Sequence, residues 1–239
     1  MNRLNGLDAF RGLAIFFMIT FHFSYDLHYF GYIKIDTTQS TFFIHYRQLI
    51  VNMFLFAVGV SLAIANKNGI NWHKVKKRAL VLGLTSALIS IATYFIFPLS
   101  WIYFGVIHFI FLASIVGLAF INRPKLALFS AIAILVAYFG FNITMHPIFI
   151  KIAPLLHIPL YHTEDLVPFI PWFSTVLLGI ALVGFNLHSK LFKLNSKIAQ
   201  TKPLKLLQFM GKHSLFIYLI HQPILFGIFE ILLHTMQPK

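Results

Sequence analysis

Residues 7–30, LDAFRGLAIFFMITFHFSYDLHYF, are apolar enough to cross a bilayer, yet carry Asp8 and Arg11 at one end and His22, Asp26 and His28 toward the other. Ionisable side chains inside a spanning helix are costly and mark functional sites by default. Arg11, Ile15, Met18, His22 and Asp26 follow one another at steps of three and four residues, so they share one helix face. His22 stands about 16 Å further along the axis than Arg11, and Asp26 one turn beyond it. This polar stripe sets the questions that the rest of the chain must answer.

The whole composition agrees with a membrane solvent. Of 239 residues, 59% are apolar and only 10% charged, and the mean hydropathy is +0.81. Soluble domains average about 25% charged residues, so a globular reading is excluded. The first apolar run has Arg11 inside it and no small-residue cleavage site, which predicts a retained span and not a signal peptide. The fold class expected is an all-α polytopic membrane bundle with about seven spans, near 10–30, 48–66, 79–99, 101–121, 125–143, 168–186 and 207–234, forming a single domain over 1–239. Repeats at a fixed period are not visible, which argues against an inverted-repeat transporter.

The net charge of +13 follows the loops and does not suggest nucleic acid. Lys67, Lys74, Lys76, Lys77 and Arg78 occupy one loop, Arg123 and Lys125 another, and Lys190, Lys193, Lys197, Lys202, Lys205 and Lys212 a third. The alternate loops hold only Lys34, Arg47 and Lys151. The positive-inside rule then places the N-terminus in the cytoplasm and the C-terminus outside. The segment 187–206 alternates lysines with Leu, Phe and Ile and is expected on the anionic inner leaflet. The outer loop 144–167 is broken by prolines and is expected to cap an outward-facing site.

Sorting ionisable residues by depth on this topology yields two sets. An inner-edge set comprises Asp8, Arg11, Lys212, His213 and Ser214, and an outer-half set His22, Asp26, Arg47, His108, Asp165 and His221. Each has a plain structural alternative. Asp8 and Arg11 fit an interfacial ion pair, and His108 alone equally fits an interhelical hydrogen-bonder. His22 and Asp26, four residues apart inside a span, suit an imidazole base oriented by a carboxylate. The histidines are scattered without HxxxH spacing, so no metal site is expected, and the absence of cysteine excludes a thiol nucleophile. The same His, Asp and Arg residues would also serve a proton-coupled or anion transporter.

GLDAFRGLAIFFMITFHF resembles the signature of membrane-bound acyltransferases, with an Arg, ten intervening residues and a His on the first helix. With MFLFAVGVSLAIA, YFGVIHFIFLA, PFIPWFSTVLLGI and GKHSLFIYLIHQPIL, in that order, the chain resembles a bacterial family related to heparan-α-glucosaminide N-acetyltransferase. It departs at His22, where the animal enzyme carries Asn. The resemblance implies acyl transfer at the bacterial plasma membrane, from cytoplasmic acetyl-CoA to a hydroxyl or amine of an extracytoplasmic envelope glycan, without a metal. It points to Arg11, His22, Asp26, His108, Trp172 and His221. The expected catalytic residues are His22 as general base, Asp26 orienting it, His221 or Tyr218 as oxyanion donor, and His108. Arg11, Lys212, Ser214 and Tyr218 would bind the acyl donor, and Arg47, Asp165 and Trp172 the acceptor.

Overall fold

The computed structural model describes residues 4–159 and 162–236. It is all-α, as the composition demands. The helices are α1 (Asn5–Tyr29), α2 (Thr41–Asn66), α3 (Trp72–Ile96), α4 (Val106–Val116), α5 (Pro124–Phe141), α6 (His146–Leu156), α7 (Phe169–Gly184), α8 (His188–Leu191), α9 (Ser196–Ala199), α10 (Lys202–Lys212) and α11 (Ser214–Met236). Five of these, α1, α2, α3, α5 and α11, are long and apolar enough to cross a membrane.

Two of the expected spans are shorter than the apolar runs that suggested them. The run 101–121 becomes helical only at Val106 and ends in a 3₁₀ turn, Gly117–Phe120. Its first residues are extended and bond to the segment before α7: Glu164 N–H donates to Ser100 O and Val167 N–H to Phe104 O. The run 168–186 yields α7, with Ile170 in an extended conformation between Pro168 and Pro171. The run 207–234 is divided. α10 ends at Lys212, His213 leaves helical geometry, and α11 starts at Ser214. Within the loop 144–167, α6 forms with Pro147 in its first turn and Pro154 near its end.

Cα packing divides the chain into two compact units. The first contains residues up to Phe54 and from Ser189 onward; the second contains 55–188. α1 is the axis of the first unit. Its N-terminal half packs on α10 and its C-terminal half on α11. Close approach to α10 depends on glycine. A Cβ on Gly12 would overlap the Leu207 carbonyl, and one on Gly211 would overlap the Asp8 carbonyl. Small residues that let helix backbones touch are the usual adhesive where lipid removes the hydrophobic drive for association. Ile15, Met18 and Ile50 form a buried cluster here, flanked by Phe17, Phe21, Tyr46, Met210, Ile217 and Tyr218. Thr20 Oγ1 and Tyr46 Oη are hydrogen-bonded at 2.7 Å, tying α1 to α2.

The second unit uses the same device between α2 and α7, where a Cβ on Gly59 would overlap the Val176 carbonyl. α5 packs on α7, and α3 on α4.

Candidate active site

The polar stripe on α1 divides along its length. At the α10 end, Arg11 Nη1 donates to Asp8 Oδ1 at 3.0 Å and to Gly211 O at 3.4 Å. Asp8 is buried and Arg11 half-buried. The guanidinium therefore neutralises a buried carboxylate and caps a carbonyl at the C-terminal end of α10, where positive charge is favoured. Lys212 and Ser214 flank the α10–α11 joint next to it.

Three turns further along, α1 meets α11 in parallel. His22 faces His221 edge to face, with ring centroids 4.8 Å apart and planes at 65°. One turn on, Gln222 Nε2 donates to Asp26 Oδ1 at 2.9 Å. Beyond that, Tyr29 and Phe30 pack on Phe226. Successive rungs of this ladder thus join His22 to His221 and Asp26 to Gln222. Asp26 is fully buried and His221 is 7% exposed.

The hydrogen bonds define what each imidazole can do. His221 Nδ1 lies 2.7 Å from Tyr218 O. A carbonyl only accepts, so Nδ1 carries the proton and Nε2 presents a lone pair. Among the described residues that Nε2 has no hydrogen-bond partner, and neither do His22 Nδ1, Asp26 Oδ2 or Gln222 Oε1. Four buried polar atoms on two adjacent rungs are therefore unspent, in a setting where unsatisfied polar groups are expensive. Phe21 and Tyr25 flank His22.

The expectation that Asp26 orients His22 requires correction. Asp26 shares the His22 face of α1, but its bond goes across to α11, to Gln222. The oriented imidazole is His221, held by the backbone of its own helix. Tyr218 contributes through that carbonyl, with its ring 5.8 Å from His221. Gln222 carries no charge and so does not stand out among the ionisable residues of the sequence. Its signal was an uncharged amide, next to His221 and Pro223, inside an otherwise apolar run.

Arg47, also in the first unit, is exposed on α2; Tyr46, beside it, is the residue turned toward Phe17 and Phe21. His108, Asp165 and Trp172 belong to the second unit. His108 Nε2 is 2.8 Å from Ser90 Oγ, and Nδ1 accepts from Gly105 N–H at 3.3 Å. Ser90 Oγ also donates to Ile102 O at 2.7 Å. Both ring nitrogens are thus engaged in joining α3 to the first turn of α4. Asp165 Oδ2 accepts from Val106 N–H at 2.8 Å and caps the same turn. Trp172 is half-buried at the start of α7.

The family model for heparan-alpha-glucosaminide N-acetyltransferase, catalytic, matches residues 3–223. The chain belongs to that family. The match covers α1 to α10 and α11 as far as Pro223, so it includes the His22–His221 and Asp26–Gln222 rungs. No curated protein and no solved structure gives a match. Family and apolar helices together make this an integral membrane protein with an acetyltransferase-type function.

Proposed function

We propose that the protein moves an acetyl group from cytoplasmic acetyl-CoA to a hydroxyl or amine of an extracytoplasmic glycan, with His221 as general base. The observation that carries this reading is the pair of facing imidazoles in the first unit, one of them locked as an Nδ1–H tautomer with an unspent Nε2. The lysine distribution supports an orientation with the α10 end of that unit in the cytoplasm. Arg11 and Lys212 there supply positive charge for CoA phosphates. The thioester arm then runs along α1 toward His22, about 16 Å away.

His221 Nε2 takes the proton from the acceptor O–H or N–H as that atom bonds to the acetyl carbon. The carbonyl π electrons move to oxygen, and an imidazole N–H of His22 donates to that oxyanion. When the oxyanion collapses, the C–S bond breaks and His221 returns the proton to the departing thiolate. No covalent acyl-enzyme is required. Low local polarity strengthens each of these contacts. The Tyr218 carbonyl keeps His221 in the productive tautomer and stabilises the imidazolium that forms in between.

Reconstituting the full chain in proteoliposomes tests this directly. Acetyl-labelled acetyl-CoA is added on the side of the α10 lysines, and glucosamine and glucose, as amine and hydroxyl probes, are enclosed on the other. Label on an enclosed probe with CoA thiol outside is the expected result. Neither labelled product nor thiol release would remove the reading.

A further inference from the structure

Gln222 lies one rung beyond the imidazole pair, and the acyl-transfer scheme above leaves it without a task. Its amide is divided between two duties. The NH₂ end donates to Asp26 Oδ1 at 2.9 Å, and the oxygen end, buried, has no partner. Asp26 mirrors this: Oδ1 is used and buried Oδ2 has no partner. A bond that served only to clip α1 to α11 would not need to bury two further acceptors. In a bilayer, where water does not rescue such atoms, the bland clip is the costlier arrangement.

Donor and acceptor counting makes the pair directional. A carboxylate only accepts, so the Gln222 NH₂ must face it and Oε1 must face away. The pair therefore offers two acceptor oxygens and can be completed only by a group that donates. Asp26 lies one helical turn outward of His22 and Gln222 directly follows His221, so the pair stands beside the imidazoles on the side where an acceptor molecule would arrive. The thioester would come from the opposite, Arg11 end.

We propose that Gln222 and Asp26 together form an acceptor-recognition station that binds an O–H or N–H group of the acetyl acceptor next to its nucleophilic atom, and that Gln222 determines specificity there. The proposal rests on the acetyltransferase reading and adds a residue to it. Gln222 holds the Asp26 carboxylate in place and supplies the second oxygen. A substrate lacking the donor leaves both oxygens buried and unpaired, and sites of that kind reject such analogues strongly.

Two variants of the full-length protein separate recognition from clipping. Gln222→Leu removes the station and the clip together. Asp26→Asn keeps the clip, because Asn still accepts from the Gln222 NH₂, but places an NH₂ donor where Oδ2 was. With glucosamine or glucose as acceptor, whichever the wild type acetylates, both variants are expected to raise the acceptor KM by about tenfold or more. The KM for acetyl-CoA should stay at its wild-type value in both, and Asp26→Asn should melt with the wild type. If Asp26→Asn keeps the wild-type acceptor KM while Gln222→Leu melts early, the pair is a clip and the station is wrong. If both KM values rise together, Gln222 has no acceptor-specific role and the proposal is equally overturned. A wild-type chain that acetylates neither probe overturns the acetyltransferase reading itself and takes the station with it, which distinguishes the two failures.

Discussion

The two units hold chemically similar residues in opposite states. In the first, His22, Asp26 and His221 leave Nδ1, Oδ2 and Nε2 buried without partners. In the second, His108 and Asp165 spend the same kinds of atoms on Ser90, Gly105 and Val106. Depth and residue type alone would assign all five to one catalytic cluster. What separates them is whether the protein itself completes their hydrogen bonds. Completed, an intramembrane histidine is a tether; incomplete, it offers reactivity to a ligand.

Substitutions can break this contrast, and the largest effect belongs to the first unit. His221→Ala should lower kcat by about a hundredfold to ten-thousandfold, the usual worth of a positioned general base. His22→Ala should also cut kcat heavily through loss of the oxyanion donor. Melting of the purified protein and acetyl-CoA thiol release, measured side by side, check both. The opposite split is expected in the second unit. His108→Ala strands the Gly105 N–H and loosens α3 from α4, at a cost of about 1–3 kcal/mol in stability. Its kcat per folded molecule should not fall, which unfolding in graded denaturing detergent together with the thiol assay will show.

A smaller effect concerns the frame. Gly12→Val forces a branched side chain onto the Leu207 carbonyl and should destabilise the α1–α10 contact by about 1–3 kcal/mol. The prediction is sharpened by protease sensitivity: cleavage near α10 should rise before the α3–α4 region becomes accessible.

The smallest effect lies outside the spans, at Asp36. Its Oδ1 accepts from Thr38 Oγ1 at 2.6 Å, Thr38 N–H at 2.8 Å and Gln39 N–H at 3.1 Å. The Thr38 hydroxyl first, and the backbone donors after it, hold this carboxyl below its usual range. A depressed folded value means that the turn is fully supported above the unfolded carboxylate value of about 4 and loses support as pH falls through the folded one. Protection of the Thr38 and Gln39 amides, taken relative to the intrinsic exchange rate at each pH, should therefore fall on acidification, and Asp36→Ala should reproduce that loss at neutral pH without changing the melting of α1.

Much of this was legible in the sequence, for identifiable reasons. Cost makes charge conspicuous in an apolar helix, so Asp8, Arg11, His22 and Asp26 declared their shared face through spacing alone. The resemblance of five ordered pieces pointed to the family that the match over 3–223 then established. Partnership was not legible. Asp26 bonds Gln222, 196 residues away, and only the helix register reveals it. Hydropathy also merged α10 with α11, because the break at His213 falls between two stretches that are each helical. Nor did it anticipate the late start of α4, where an apolar segment is held extended by bonds to residues 163–167.

The central claim is that unspent atoms, and not intramembrane position, mark the reactive histidines. The most direct measurement is kcat for acetyl-CoA thiol release in the presence of acceptor, normalised to folded protein, for His221→Ala against His108→Ala. The account predicts collapse in the first and a wild-type rate in the second. Equal losses in both, or a full rate for His221→Ala, would contradict it.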